Sequence, residues 1–286
     1  MVKIPSLKLN TGALMPQIGF GTWQLSKKDA EKGVLFALKS GYRLIDTAAI
    51  YENEEGVGKG IKNAMKKLNI KRKDIFVVTK LWNSDHKEPR KALLKSLKKL
   101  GLSYVDLYLI HWPVEESLIT WKELEKLKEE GLTKAIGVSN FTISHLDQLK
   151  KVSKEIPSVN QVELSPFLCQ KELAKYCKKK KIVIMSYSPI MHGKLLDNKV
   201  ICGIAQKHNK TPAQVVLRWH IQLGLIPIPK SKHTERIAEN FDVFNFKLNS
   251  KEIKMLSSLD SEKRFCWNPN DKKWKFVAEV SKLVKA

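Results

Sequence analysis

Short apolar runs alternate with longer amphipathic stretches along most of the chain. Strand-like runs fall at 18–23, 43–48, 75–82, 105–112, 135–141, 159–166, 182–189 and 225–231. They are almost continuously apolar, as strands buried on both faces are. Between them lie patterns with the three-and-four spacing of amphipathic helices. Val34, Leu35 and Leu38 mark one over 27–39, and Leu93, Leu94 and Leu97 another over 89–100. Leu118, Trp121, Leu124 and Leu127 mark a third over 117–130. Thr211-Pro212 supplies a capping hydroxyl and a proline suited to a first helical turn. Gly41, Gly101, Gly131 and Gly224 stand where helices are expected to end. Ahead of the alternation, 7–16 reads as a hairpin turning at Asn10-Thr11-Gly12.

Eight strands alternating with helices fit a closed (β/α)8 barrel or an open doubly wound sheet. The two differ in where strand ends go. Asp46 and Thr47, Thr79 and Lys80, His111, Ser139 and Asn140, Gln161, Ser186 and Tyr187, and Lys230 and Ser231 all sit at or near C-terminal strand ends. A barrel gathers such residues on one face, whereas an open sheet strings them along an edge. The pattern therefore predicts an α/β fold of the TIM-barrel type. No Pro- or Gly-rich linker interrupts it, so 1–286 is expected to be one domain. The alternation stops after Asp260, and the tail is expected to cover the barrel mouth, although 265–274 carries no motif with readable chemistry.

Composition narrows the classes. With 286 residues, 43% apolar and 28% charged, the chain can bury a large core. No apolar run approaches the roughly 18 residues of a membrane span, and the first ten residues lack a signal-peptide core. A cytoplasmic monomer is the expectation. The formal net charge of +23 raises the question of nucleic acid. The lysines, however, are spread along the chain, and no basic stretch interleaves with aromatics. The densest run, 178–181, falls at an expected helix end, where cations suit the helix dipole. No nucleic-acid or membrane partner is expected, and the positive field suits a ligand bearing phosphates. Cys169, Cys177, Cys202 and Cys266 form no CxxC pair or zinc spacing, so reduced thiols and no metal are expected. Gly56-Val57-Gly58-Lys59-Gly60 lacks the hydroxyl of a phosphate loop and lies in a helical pattern, which makes it a packing feature.

Asp46, Tyr51, Lys80 and His111 carry the candidate chemistry. A phenol holds its proton to about pH 10. A neighbouring ammonium favours the phenolate, and a buried ammonium needs a partner, which Asp46 can supply. His111 can donate a hydrogen bond to a substrate oxygen. Such a group suits protonation of an oxygen on which negative charge develops. Singly, each residue has a plainer role: helix cap, loop aromatic, strand terminus, core histidine. Their joint placement at neighbouring strand ends argues for a site. Trp23, Trp82 and Trp112, with Trp267 in the tail, are candidates for the wall of an apolar substrate pocket.

Ordered segments across nearly the whole chain also match a known pattern. They are Gly19-Phe20-Gly21-Thr22-Trp23, Gly41 to Ala48 with Tyr51, Asn53 and Glu54, Thr79-Lys80-Leu81-Trp82, Leu107 to Pro113, Gly137 to Phe141, Asn160-Gln161-Val162-Glu163, Tyr187-Ser188-Pro189, Ile228 to Ser231, and Arg236 to Asn240. In these the chain resembles the aldo-keto reductases of the aldose reductase type. The resemblance implies a (β/α)8 barrel that reduces aldehydes and ketones with NADPH, with Asp46, Tyr51, Lys80 and His111 as catalytic tetrad and Tyr51 as general acid. It implies that Ser139, Asn140 and Gln161 hold the carboxamide and that Tyr187 stacks on the nicotinamide. Lys230, Ser231 and Arg236 would cradle the 2′-phosphate, and Glu239 and Asn240 would meet the adenine. Thr22, Trp23, Asp46 and Ser188 complete the expected cofactor contacts. Histidine rather than glutamate at 111 resembles the carbonyl reductases. Met191 departs from the small residue common at its position, and Lys232 and His233 stand where apolar or hydroxyl residues are common. Two rival readings remain: an NADPH-binding regulatory subunit, and an unrelated barrel enzyme using Lys80 as a Schiff-base nucleophile.

Overall fold

The computed structural model describes residues 4–271. An antiparallel hairpin opens the chain, β1 (Ser6–Lys8) pairing with β2 (Leu14–Pro16). Gly12 takes the left-handed conformation at its turn, φ 87°. Then follow β3 (Phe20–Gly21), α1 (Lys27–Ser40), β4 (Leu44–Asp46), α2 (Glu54–Leu68), β5 (Phe76–Leu81), α3 (Pro89–Leu100), β6 (Leu107–Ile110) and α4 (Ser117–Glu129). The second half comprises β7 (Ile136–Ser139), α5 (Ile143–Val152), β8 (Val159–Glu163), α6 (Lys171–Lys179), β9 (Val183–Tyr187), α7 (Lys199–His208), α8 (Pro212–Gln222), β10 (Ile226–Pro227), α9 (Thr234–Phe241) and α10 (Ser250–Ser257).

The strands from β3 to β10 form one 8-stranded parallel sheet in chain order. Two backbone hydrogen bonds join its ends: Gly19 N–H donates to the Pro227 carbonyl at 3.0 Å, and Gly21 N–H to the Pro229 carbonyl at 3.0 Å. The sheet thereby closes, as a barrel must. Glycine eases the closure at position 21, because a Cβ would stand 3.0 Å from the Ile228 carbonyl oxygen.

Strand alternation then decides which residues look inward. Leu44, Phe76, Val78, Leu107, Leu109, Ala135, Val159, Met185, Ile226 and Ile228 form a buried interior cluster, joined by Leu9 and Met15 from the hairpin. The hairpin is thus the floor of the barrel. Its Asn10 is fastened to the Ile156 carbonyl at 2.9 Å and to the Ser158 hydroxyl at 2.6 Å. Two residues further along the same strand faces come Asp46, Lys80, His111, Gln161 and Tyr187. The barrel interior is therefore apolar at the bottom and polar at the top. A larger cluster, including Ile45, Val77, Tyr108, Ile136 and Ile184, fills the layer between strands and helices.

The helices begin and end much as their sequences suggest. Ser26 caps α1, and Thr211 forms a reciprocal capping box with Gln214 ahead of Pro212 in α8. Gly41 and Gly101 close α1 and α3 in the left-handed conformation. The glycines of α2 form a notch. A Cβ on Gly56 would lie 2.0 Å from the Lys27 carbonyl oxygen, and one on Gly58 would lie 2.2 Å from that of Leu100. The Gly-rich run is a packing seam against α1 and α3, as expected. Gly19 serves interior packing, since a Cβ there would meet Leu44 and Ile228 side chains at 2.7 and 2.8 Å.

Candidate active site

The polar top of the barrel opens into a cleft of about 1270 Å³. Asp46 ends β4, Tyr51 ends the short helical turn Ala49–Tyr51 that follows, Lys80 lies in β5, and His111 is the residue after β6. Lys80 has no exposed surface. Its ammonium donates to Asp46 Oδ1 at 2.8 Å, to the Thr47 carbonyl at 2.9 Å and to Tyr51 Oη at 3.2 Å. An ammonium has three N–H donors, and all three are engaged. A buried ammonium with no exposure and no spare donor is poorly placed to attack a carbonyl, which speaks against the Schiff-base reading.

Because Tyr51 accepts from Lys80, its own O–H is free to donate toward the cleft it lines. The His111 ring packs edge-on against Tyr51 at 5.7 Å and against Trp82 at 5.2 Å. Burial, reinforced by the charge of Lys80, holds His111 well below the usual histidine range, so the imidazole is neutral. Burial raises Asp46 and lowers Lys80, and their ion pair works against both shifts. Tyr51 corrects one expectation. Burial, followed by the charge of Asp46, pushes the phenol well above its ordinary value rather than below it. The shortest contact of Lys80 is with Asp46, so much of its charge is neutralised before it reaches the phenol. The phenol is therefore held protonated.

A polar chain continues across the barrel mouth. Gln161 Nε2 donates to Asp46 Oδ2 at 2.8 Å, and Ser139 Oγ donates to the Gln161 carbonyl at 2.9 Å. Asn140 Nδ2 reaches Ser139 Oγ at 3.1 Å and the His111 carbonyl at 3.0 Å, while Tyr187 Oη donates to Asn140 Oδ1 at 2.8 Å. Asn140 holds φ at 65°, a region asparagine tolerates better than most residues. Tyr187, Asn140, Ser139, Gln161, Asp46, Lys80 and Tyr51 thus form one connected network over five strands. Gln161 orients Asp46, a contact that sequence reasoning did not foresee.

The other end of the cleft is cationic. Lys230, Ser231, Lys232, His233, Arg236, Glu239 and Asn240 line it. Among the described residues no carboxylate forms an ion pair with Lys230, Lys232 or Arg236. Burial and the neighbouring Lys232 lower Lys230. Glu239 accepts from the Thr211 hydroxyl at 2.8 Å, which ties it to the start of α8.

Most of the predicted site residues share this cleft, including Trp23, Trp82, Trp112 and Ser188. Thr22 does not. It is fully buried, and its hydroxyl donates to the Asp46 carbonyl at 2.9 Å, bracing the strand behind the site. Gln24, Ile50 and His192 escaped the sequence reading, and Arg264, Phe265 and Cys266 belong to the tail expected over the mouth, where no single residue had a readable role. Ser188 Oγ lies 2.9 Å from His192 Nε2 and 3.4 Å from Cys266 Sγ, joining the β9 loop to the tail. Trp267 packs edge-on against Trp112 at 6.1 Å. Tail residues therefore do line the mouth, while 272–274 lie outside the described residues. Met191 is fully buried with φ at 52°, a conformation glycine adopts more easily.

The family model for the Aldo/keto reductase family matches residues 17–261. The chain belongs to that family. Methylglyoxal reductase DkgA of Escherichia coli K12 is 48% identical over 269 residues, covering 92% of this chain and 96% of the relative. Glyoxal reductase of Bacillus subtilis is 46% identical over 270 residues, covering 93% of this chain and 96% of the relative. A Bombyx mori aldo-keto reductase solved in complex with NADP superposes with a TM-score of 0.90 at 35% identity, covering 96% of this chain and 98% of that one. The aldo-keto reductase described here is a carbonyl-reducing enzyme with the barrel fold of its family. The reading as a regulatory subunit finds no support among these relatives.

Proposed function

We propose that this aldo-keto reductase is an NADPH-dependent reductase of short carbonyl compounds, α-oxoaldehydes foremost, with Tyr51 as proton donor. One observation carries the reading. The Tyr51–Lys80–Asp46 network, at 3.2 and 2.8 Å, forms one end of a cleft whose other end holds cations without carboxylate partners. Cations and a hydroxyl gathered at Lys230, Ser231 and Arg236 fit a phosphate dianion. The cleft is large enough for an extended dinucleotide. The two relatives named for methylglyoxal and glyoxal reduction support the substrate class.

When bound, NADPH supplies the hydride. The chain's own residues handle the oxygen. The neutral His111 imidazole points an N–H donor at the carbonyl oxygen and favours the charge that develops on it. Tyr51 transfers its proton from Oη to that oxygen, and Lys80, 3.2 Å away, stabilises the phenolate left behind. Asp46 keeps Lys80 charged and in place, and Gln161 fixes Asp46. Tyr187, Asn140 and Ser139 are assigned to the nicotinamide end, Lys230, Ser231 and Arg236 to the 2′-phosphate, and Glu239 and Asn240 to the adenine. Trp23, Trp82 and Trp112 wall the substrate end and exclude water.

The direct test is oxidation of NADPH and of NADH with methylglyoxal, glyoxal and a panel of larger aldehydes and ketones. The expected result is carbonyl-dependent turnover, faster with NADPH and most efficient on the α-oxoaldehydes. No carbonyl-dependent oxidation of either cofactor would overturn the reading.

A further inference from the structure

Glu163 is a buried carboxylate that the chemistry above does not use. It ends β8, two residues beyond Gln161, and is 1% exposed. Its Oε1 accepts the backbone N–H of Phe265 at 2.6 Å and that of Cys266 at 3.2 Å. Arg264 Nη1 lies 3.7 Å from Oε2, and Oε2 is buried with no hydrogen-bond partner among the described residues. The backbone carbonyl of Glu163 is itself fixed by Gln170 at 2.5 Å. A buried carboxyl group on a closed barrel strand thus grips three consecutive residues of a segment that has no helix or strand of its own.

The side chains of that segment also touch the β9 loop, at Ser188 and His192, and Trp112, but its backbone has few other ties. Ser261 and Lys263 N–H groups donate to the Phe167 carbonyl at 3.2 and 3.0 Å, which anchors its start. Beyond them, the backbone N–H groups of 265 and 266 have Glu163 as their partner. Yet Arg264, Phe265, Cys266 and Trp267 all line the cleft, and Trp267 meets Trp112 on the expected substrate wall. Hydrogen bonds to an ionised acceptor are roughly twice as strong as neutral ones. A buried acid with two such bonds is expensive to retain unless it fixes something.

We infer that Glu163 is a positioning residue for substrate specificity, latching 264–267 over the cleft so that Phe265 and Trp267 set the width of its substrate end. Specificity for short over bulky carbonyls then comes from a wall held by one carboxylate rather than by secondary structure. This rests on the carbonyl-reductase reading for its substrate arm, but the latch itself does not require turnover.

Two readouts test it, on the full chain. In Glu163→Ala the released segment widens the cleft. The ratio of kcat/KM for a bulky aromatic aldehyde to that for methylglyoxal is expected to rise about tenfold, through KM. The kcat for methylglyoxal should stay within about twofold, because Tyr51, Lys80 and His111 are untouched. Independently of activity, alkylation of Cys266 by a maleimide, located by mass spectrometry, should accelerate at least about tenfold. Glu163→Gln keeps an oxygen for the two N–H groups and should fall between wild type and Glu163→Ala in both. A folded Glu163→Ala whose substrate ratio or Cys266 reactivity equals that of the wild type overturns the latch. If Glu163→Ala does not fold, Glu163→Gln decides: raised Cys266 reactivity supports the latch and wild-type reactivity overturns it. Absence of turnover in the wild type would instead remove the proposed function, leaving the alkylation arm to judge the latch.

Discussion

At the scale of single residues, the site is an arrangement for keeping a proton on Tyr51 until a substrate oxygen asks for it. Burial makes the phenol a reluctant acid in the free protein, and Lys80 waits at 3.2 Å to receive the charge of the phenolate. Tyr51→Phe should therefore retain NADPH binding, measured by quenching of tryptophan fluorescence, and lose at least about a hundredfold in turnover. His111 gives a prediction of opposite kind. Burial and Lys80 lower its pKa, so it takes up a proton only in acid well below the histidine norm. NMR titration should show its imidazole neutral throughout about pH 6 to 8, and kcat/KM should show no inflection near pH 6.5. Asp46, Tyr51, Lys80 and His111 were legible in the sequence because they fall together at or just beyond neighbouring strand ends. Glu163 and Cys266 were not, because a carboxylate ending a strand and a cysteine in a tail have no periodicity or spacing to announce them. Gln161 was legible as a site residue, but its contact with Asp46 crosses the barrel and has no trace in local sequence.

At the scale of elements, the apolar runs located every barrel strand and overestimated their lengths. The run over 18–23 yields only β3, two residues, and the run over 225–231 only β10, also two. Most of the rest of each run is buried but has left the ladder, and Trp23 and Lys230 at the ends of the two runs reach the cleft. Helices with broad apolar stripes, such as α1, α3 and α4, were predictable nearly to the residue. Sparser helices were not: α6 buries only Leu173 and Cys177, so its period is faint. The lysine run does end that helix, with Lys178 and Lys179 in its last turn. The glycine seam of α2 yields a stability prediction. Gly58→Ala would put a methyl 2.2 Å from a backbone carbonyl that cannot move cheaply, and should cost about 3 kcal/mol in denaturant unfolding. Thr211→Val removes a capping bond and the bond to Glu239 together. It should cost about 1 kcal/mol and also weaken NADPH binding, measurable by titration calorimetry.

For the whole molecule, the excess of +23 charges is distributed, and three of its cations, Lys230, Lys232 and Arg236, line one end of the cleft. Lys230→Ala should weaken NADPH at least about tenfold more than NADH, and added salt should weaken NADPH in the wild type. Equal losses for both cofactors would remove Lys230 from the 2′-phosphate. Acid stability depends on a carboxylate far from the site. Burial alone would raise Glu252, but its bonds to Lys207, the Asn249 backbone and His208 outweigh burial and pull it down to about 2. A carboxylate held below its ordinary value stabilises the fold above that value and loses the contribution as pH falls. Unfolding free energy should therefore decline from about pH 4.5 towards pH 2, and Glu252→Gln should flatten that decline by on the order of 2 kcal/mol. Among the described residues no helix is long and apolar enough to cross a membrane.

Hydrophobic period and residue type are properties of the chain itself. They determined the alternation of strands and helices, the hairpin, the helix caps and the polar character of the strand ends. Closure was decided by two long-range backbone bonds, from Gly19 and Gly21 to the last strand, which no local pattern encodes. Closure turned a list of strand ends into a cleft, set Gln161 against Asp46, and gave Lys80 the partners that allow its burial. The folded surroundings also reversed the expected pKa of Tyr51, since desolvation depends on what packs around a group and not on which residues neighbour it in sequence. The same holds for the wall of the cleft, where a carboxylate at 163 grips residues a hundred positions later through bonds that only the tertiary fold can form.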